Sequence, residues 1–309
     1  MAAGRSTSSG RRIGYRQAVS DTAVVLMAYG SPERLEDVPA YFADIRGGRP
    51  VRPEAVEELA ERYRRIGGMS PLNEITERQR SALERELNVP VHIGMKHWTP
   101  RIAEAAERAI EQGADRVVGL VLAPHWSRLS IGGYREQLES TVAGRAEILF
   151  VDSWPLEPGF LDLLADRVRG TAAHVVFTAH SLPARILKER DPYQDQLLET
   201  ATAIVERAGL ADWSFAYQSE SPTGEPWLGP DILDHLSDLR ARGVRDVLAC
   251  PIGFVADHLE IRWDLDVEAT GKAAELGLRF ARIEMPNAEP RFVGVLVGIV
   301  RRALAEVPV

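Results

Sequence analysis

Residues 251–268 read PIGFVADHLEIRWDLDVE and combine the end of an apolar strand with an acidic helical pattern. The apolar run that leads into this segment has the character of a buried strand, and it breaks at Gly253. Beyond the break, Glu260, Asp264 and Glu268 stand four residues apart, so an α-helix would carry their carboxylates along one slowly drifting stripe. Two interpretations stay open: a solvated acidic helix face, or a row of oxygen ligands for a hard divalent cation.

Outside this segment, apolar strand-like runs alternate with amphipathic helical runs. The predicted strands are 23–28, 89–95, 116–122 and 147–151, followed by 174–178, 214–217, 246–251 and 278–283. The predicted helices include 53–66, 70–88, 100–112, 159–169, 193–208 and 232–242, with a last one from about 291 to 304. Strands this hydrophobic, alternating with helices, indicate parallel sheets that are covered on both faces.

The spacing of these elements predicts an α/β protein made of two similar halves. Four strands come first, a break falls near residues 152–158, and four more strands follow. We therefore expect a disordered tail at 1–20, one domain at 21–152 and another at 153–309. The C-terminal helix, at 290–306, is free to pack back on the first domain.

Composition narrows the range of partners and compartments. A formal net charge of −8 argues against a general nucleic-acid or anionic-membrane binder, so an acidic ligand would need a local cluster of arginines. The single cysteine, Cys250, cannot form an internal disulfide or supply the four thiolates of an iron–sulfur cluster. No apolar run approaches the roughly 18 residues of a membrane span. We therefore predict a cytoplasmic protein with no integral membrane segment.

Polar side chains collect where the predicted strands end. The segments concerned are YGSP at 29–32, KHW at 96–98, PHWS at 124–127, AHSLP at 179–183, QSE at 218–220 and Gly253. In open α/β sheets, ligands bind beyond the carboxyl ends of the strands, so these segments predict a site. Each histidine taken alone could instead be structural. No glycine-rich phosphate-binding motif is present, which argues against dinucleotide or nucleoside-triphosphate chemistry.

Six motifs of this sequence together resemble the ferrochelatase family. They are AYGSP at 28–32, RYRRIGGMSPL at 62–72, TAHSLP at 178–183, YQSE at 217–220, WLGPD at 227–231 and GFVADHLE at 253–260. The resemblance covers nearly everything from Ala23 to the C-terminus, and AHSLP together with GFVADHLE is a specific pair. It implies two Rossmann-like domains, each a four-stranded parallel sheet flanked by helices, with a porphyrin cleft between them. It also implies a lyase of haem biosynthesis that takes Fe²⁺ as a substrate and inserts it into the porphyrin.

Tyr29 makes this resemblance more specific. The family branch that acts on coproporphyrin III typically carries a tyrosine at this position, so this chain resembles that branch. We also expect the protein to lack the hydrophobic insertion and C-terminal tail of membrane-bound relatives. The resemblance therefore implies conversion of coproporphyrin III to coprohaem, with release of two pyrrole protons. Some relatives hold a [2Fe–2S] cluster through several cysteines, and Cys250 alone predicts that this chain does not.

The resemblance also implies roles for individual residues. His180 is expected to accept a pyrrole proton, because a neutral imidazole titrates near pH ~6.5, and Glu260 is expected to face it. The expected metal ligands are Tyr29, His180, Glu260, Asp264 and Glu268, with a possible second divalent cation, Mg²⁺, at the acidic row. A π-type turn would align these carboxylates better than a regular α-helix, and the resemblance implies one here.

The expected substrate-binding residues would hold the ring or its propionates. They are Tyr29, Arg46, Arg62, Tyr63, Ser70, Ser127 and Tyr134, of which Ser127 and Tyr134 are expected in a loop. Ser70 is also expected to cap the following helix, with Pro71 at the first helical position. We expect a monomer whose partners are the porphyrin and, transiently, neighbouring enzymes of the haem pathway.

Three other functions stay open at this point. One is a protoporphyrin IX ferrochelatase, and another is a different tetrapyrrole metal chelatase of the same fold. The third belongs to another class, a non-catalytic porphyrin or haem carrier. A carrier would need Tyr29 and the arginines but would have no use for His180 paired with Glu260.

Overall fold

A computed structural model describes residues 21–221 and 223–305, so the tail predicted at 1–20 lies outside the described residues. The first half contains, in chain order, β1 (Thr22–Ala28), α1 (Val38–Ile45), α2 (Pro53–Arg65), α3 (Leu72–Leu87), β2 (Val91–Met95), α4 (Ile102–Glu111), β3 (Arg116–Val121), α5 (Ile131–Val142) and β4 (Glu147–Val151).

The second half begins with α6 (Pro158–Val168), β5 (His174–His180), α7 (Tyr193–Ala208), β6 (Trp213–Gln218), α8 (Ile232–Ala241) and β7 (Asp246–Cys250). A π-helix (Ile261–Ala269) continues directly into α9 (Thr270–Leu276), and β8 (Arg279–Arg282) and α10 (Pro290–Ala305) complete it. Among these helices, none is both long and apolar enough to cross a membrane.

The strands form two parallel four-stranded sheets, in the orders β2-β1-β3-β4 and β6-β5-β7-β8. In each half the first strand lies inside the sheet, and β1 is buried along its whole length. A strand covered on both faces needs a nearly continuous apolar run, and AVVLMA at 23–28 supplies it after the initial Thr22. The predicted α/β fold with two parallel sheets is therefore confirmed.

The core joins the two halves. Helix α10 follows the last strand of the second half, yet it packs against α3, β3 and β4 of the first half as well as α6. Its Phe292 lies with Trp154 and Phe160 in an aromatic cluster, at ring-centre distances of 6.2 and 6.3 Å. Full burial of such a side chain stabilises the fold by about 1.5–3 kcal/mol. The division of the chain after residue 152 stays a prediction.

A second set of contacts between the two halves joins α7 and the residues just before it to the segment after β3. The imidazole Nε2 of His125 lies 2.9 Å from Thr200 Oγ1, and the Trp126 amide donates to Gln196 Oε1 at 2.7 Å. The Arg128 amide donates to a carboxylate oxygen of Asp191 at 2.8 Å. Together with α10, these bonds fix the two halves so that the carboxyl ends of both sheets border the same space.

Candidate active site

Residues that end or follow four strands line one cleft between the halves. Tyr29 follows β1, His125 follows β3, His180 ends β5 and Gly253 follows β7. The cleft holds about 980 Å³ of empty space, part of it open to solvent, and its apolar walls are Leu72, Val121, Leu122, Ala123, Phe254, Val255 and Ala256. The prediction that polar strand ends meet at one site holds for these four strands. A cleft that is mostly apolar with a few polar groups suits a flat organic ligand.

His180 and Glu260 form a hydrogen-bonded pair in this cleft. Nδ1 of His180 lies 3.1 Å from Oε2 of Glu260, and the two side chains keep 32% and 34% of their surface exposed. Strand β5 delivers the imidazole, and the turn after β7 delivers the carboxylate one residue before the π-helix. The Tyr193 hydroxyl donates to the His180 carbonyl at 2.9 Å, which fixes the end of β5.

The electrostatics of this pair favour the charged forms. Burial by itself lowers the pKa of His180, but the charge and hydrogen bond of Glu260 outweigh it and raise that pKa above its usual value. Burial likewise raises the pKa of Glu260, yet His180 and His258 hold it well below the usual range. An opposite charge at this distance is the ordinary cause of such shifts. The imidazole of His180 is therefore a stronger proton acceptor than a free histidine side chain.

The expected π-type turn is confirmed as the helix Ile261–Ala269. Within it Asp264 is buried, and its carboxylate accepts hydrogen bonds from the Ser219 hydroxyl and from Gln218 Nε2, the latter at 3.2 Å. The Ser219 hydroxyl also lies 3.4 Å from Glu260 Oε2. Ser219 therefore connects the first two carboxylates of the acidic row.

The acidic row is not a ready-made metal site. In the described part of the chain, no three His, Cys, Asp or Glu side chains are grouped so that they could hold a metal ion. Burial and the charge of Glu260 raise the pKa of Asp264 to about 7. A carboxyl group that is half protonated at neutral pH is a weak cation ligand but can exchange protons. The metal-ligand roles of the row stay a prediction.

Tyr29 reaches the cleft from the first half and is 40% exposed. Its ring centre lies 4.6 Å from that of His97. Nδ1 of His97 lies 2.9 Å from Asp44 Oδ2, and Arg101 binds both oxygens of the same carboxylate, at 3.0 and 2.7 Å. This chain of contacts holds the phenol at the cleft wall, on the side formed by the first half.

Five expected substrate-binding residues do not line the cleft; they are Arg46, Arg62, Tyr63, Ser70 and Ser127. Arg46 is exposed at the end of α1, while the guanidinium of Arg62 lies over the Trp263 ring with its carbon 5.4 Å from the ring centre. Tyr63 is buried and shares a 3.2 Å hydrogen bond with Ser31. Ser70 Oγ accepts a 3.3 Å hydrogen bond from the Leu72 amide, but the prediction that Ser70 caps α3 is wrong: the N-cap residue is Pro71, whose carbonyl accepts the first helical bond, from the Ile75 amide. Their contacts with a ligand stay predictions.

Ser127 and Tyr134 were expected in one loop, and for Tyr134 this is wrong. Tyr134 lies in α5, is buried and still lines the cleft. Two glycines at 132 and 133 weaken the helical pattern, but packing of the apolar face of α5 on the sheet overrides that propensity. Ser127 is fully buried, and its hydroxyl donates to Asp191 at 3.0 Å.

Lys96 belongs to a strand end that the sequence predicted for the site, but sequence reasoning gave it no role; its amino group lies beside the cleft. The amino group lies 4.7 Å from the ring centre of Tyr134 and donates to the Ser130 carbonyl at 3.1 Å; both of those residues line the cleft. Burial lowers the pKa of Lys96 to about 8. The chain has only three lysines, so an apolar strand that ends in one was the available signal.

Comparisons with known proteins identify the family of this chain. Residues 21–304 match the family model described as ferrochelatase. The chain is 44% identical over 298 residues to a ferrochelatase of Herpetosiphon aurantiacus, covering 90% of this chain and 98% of that protein. It is 42% identical over 301 residues to a coproporphyrin III ferrochelatase of Halalkalibacterium halodurans, covering 92% and 97% of the two chains.

The fold is similar to that of a solved chelatase of low sequence identity. The sirohydrochlorin chelatase SirB from Bacillus subtilis subspecies spizizenii, in complex with cobalt, matches with a TM-score of 0.58 at 12% identity, over 91% of this chain and 94% of that one. That likeness concerns the fold alone. The family match covers nearly the whole chain and therefore shows more than the fold. This protein belongs to the ferrochelatase family, whose members are enzymes that insert iron into a porphyrin.

Proposed function

We propose that this protein inserts Fe²⁺ into coproporphyrin III and forms coprohaem in haem biosynthesis. Iron enters as the divalent ion, two pyrrole N–H protons leave, and four nitrogen–iron bonds form, so charge and atoms balance without a redox partner. The reaction needs a proton acceptor at the ring, a dry apolar slot for the ring and a polar path for the hydrated ion.

The contact between His180 and Glu260 carries this proposal. It provides a proton acceptor with a raised pKa at the wall of an apolar cleft. Glu260 stabilises the imidazolium that forms when His180 takes a pyrrole proton. A carrier that only binds a porphyrin gains nothing from such a pair, since binding needs no proton transfer.

The choice of coproporphyrin III rests on relatives and on Tyr29. Proteins named coproporphyrin III ferrochelatase are 42% identical to this chain in Halalkalibacterium halodurans and 40% identical in Bacillus subtilis. Coproporphyrin carries four propionates, whose best partners are charged hydrogen-bond donors. We assign that role to Arg46 and Arg62, with Tyr29 on the face of the ring opposite His180.

We further propose a second divalent cation, Mg²⁺, at the outer end of the acidic row near Glu268, where carboxylates suit a hard ion. The only cysteine, Cys250, is buried, so this reaction scheme includes no iron–sulfur cluster. We infer that the enzyme works in the cytoplasm as a monomer and that it meets neighbouring enzymes of the haem pathway only transiently.

The test is an anaerobic insertion assay with Fe²⁺ that compares coproporphyrin III with protoporphyrin IX. We expect a clearly higher kcat/KM for coproporphyrin III. The reverse ranking would favour a protoporphyrin enzyme. Tight porphyrin binding with no insertion of Fe²⁺ into either porphyrin would favour the carrier.

A further inference from the structure

Asn287, in the loop between β8 and α10, makes four hydrogen bonds to two other parts of the chain. Its side-chain Oδ1 accepts from the Asp257 amide and its Nδ2 donates to Asp257 Oδ2, both at 2.8 Å. Its backbone amide donates to the Val255 carbonyl at 2.8 Å. Its carbonyl accepts from Gln79 Nε2 at 2.7 Å. Two of its partners therefore lie in the cleft-side turn after β7, and the third lies in α3 of the first half.

The backbone at Asn287 explains why an asparagine suits this position. Its φ is +50°, in the left-handed region that most residues avoid and that asparagine tolerates better than others. In this conformation the amide and the carbonyl point to opposite sides of the loop. One side chain and one peptide can therefore hold two segments that approach from different directions.

Asp257 is also connected to the π-helix, through Arg282. Its Oδ1 accepts from Arg282 Nη2 at 2.8 Å, and the same guanidinium donates to both oxygens of Asp266, at 2.7 and 2.8 Å. The Arg282 and Asp257 side chains are each only 16% exposed. A half-buried charge pair with an additional amide partner is a firm contact, because breaking it leaves an unpaired charge away from water.

The segment held in this way is the one that carries Glu260. Residues 253–256 and 258 form one wall of the cleft, and Glu260 follows Asp257 by three positions. Within the described residues, the partners of the Glu260 carboxylate are His180, Ser219 and His258, and all three belong to the second half. Its distance from His180 therefore depends on where the turn after β7 sits.

We propose that Asn287 is a positioning residue for iron insertion: through its bonds to Asp257, Val255 and Gln79 it sets the place of Glu260 relative to His180 and to the first half of the protein. The inference rests on the proposed function, in which that pair handles the pyrrole proton. Asn287 itself touches neither porphyrin nor metal. Its loss should therefore slow the chemical step much more than it weakens porphyrin binding.

The test starts with a single substitution at Asn287 and then exchanges the side chains of Asn287 and Asp257. In Asn287→Asp, the new carboxylate faces that of Asp257, and the hydrogen bond between the Asn287 amide and Asp257 is lost. Aspartate has the same shape as asparagine and also tolerates the left-handed backbone. We expect kcat to fall about 10- to 100-fold, the loss typical of a small misplacement of a reacting group. The affinity for coproporphyrin III, measured by quenching of protein fluorescence without iron, should change far less.

The double variant Asn287→Asp with Asp257→Asn should recover most of the wild-type kcat. An asparagine at 257 still accepts from Arg282 and donates to the new carboxylate, and the formal charge of the pair is unchanged. Asn88→Asp is the matched control, because Asn88 is also left-handed, with φ +55°, and lies exposed at the end of α3 far along the chain from the cleft-side turn.

The outcomes separate the two proposals. If the wild-type protein inserts no iron, the proposed function fails. If the wild type is active and Asn287→Asp matches Asn88→Asp in kcat, the positioning role is wrong. Should Asn287→Asp fail to fold, the double variant decides: wild-type Tm with wild-type kcat supports the role, and wild-type Tm with a low kcat overturns it.

Discussion

Nδ1 of His180 lies 3.1 Å from Oε2 of Glu260, although the two residues are 80 positions apart in the chain. The contact links the end of β5 to the residue that precedes the π-helix. Each partner shifts the pKa of the other toward its charged form. A proton taken from a porphyrin can therefore rest on His180 without leaving an isolated buried charge.

His180→Ala should abolish iron insertion and leave porphyrin binding nearly intact. Loss of a general base typically lowers the rate about 10²- to 10⁴-fold, whereas the apolar walls that hold the ring are unchanged. Anaerobic insertion kinetics and a fluorescence titration with coproporphyrin III measure the two effects. His92→Ala, on β2 and outside the cleft walls, is the control. Near-normal turnover by His180→Ala would refute the assigned role.

Stability should fall as pH rises from about 4 to 7, because Asp264 holds its proton in the folded state. Its pKa is raised to about 7 by burial and by Glu260, while the unfolded chain releases this proton near pH ~4. In that window the folded protein binds more protons than the unfolded chain, so rising pH favours unfolding.

The variant Asp264→Asn removes this titration and keeps the shape of the side chain. It should raise Tm clearly at pH 8, raise it less at pH 5 and leave it nearly unchanged below pH 4. Thermal unfolding across this range tests the prediction. A constant difference in Tm at every pH would mean that the Asp264 carboxyl does not titrate as described.

Arg62→Gln should raise KM for coproporphyrin III by roughly 10- to 100-fold and leave kcat almost unchanged. A hydrogen bond to a charged group contributes about 1.5–3 kcal/mol, and binding that is equal in substrate and transition state appears in KM alone. Arg64→Gln is the matched control on the same helix, because Arg64 is paired with Glu57 and Glu61. Equal KM values for the two variants would exclude Arg62 from propionate binding.

Gly253→Ala should destabilise the protein by about 1–3 kcal/mol, the usual cost of overpacking. A Cβ at this position would lie 2.6 Å from the Ala179 Cβ and 2.9 Å from its Cα, directly beside His180. Gly271→Ala, in α9, has open space around it and should stabilise by roughly 0.5–1 kcal/mol through helix propensity. Urea unfolding of both variants tests the contrast, which fails if Gly253→Ala is neutral.

Much of the architecture could be predicted because its cause is local. Continuous apolar runs such as Ala23–Ala28 must be buried on both faces, and strand–helix alternation then leaves parallel sheets as the solution. Helix α5 was missed because its two early glycines weaken the local pattern, and only contacts with the sheet reveal it. The four-residue spacing of the acidic side chains, together with the resemblance to the ferrochelatase family, likewise predicted the π-helix that contains Asp264.

The sequence by itself determined the two-sheet fold, the strand ends that line the cleft and the identity of His180 and Glu260 as candidates, because periodicity and motifs are properties of short segments. Only the tertiary structure decided that Ser219 connects two carboxylates, that Arg62 lies over Trp263, and that Asn287 holds the turn before Glu260. Those contacts join residues from different elements, and their energies depend on distances that no local pattern contains.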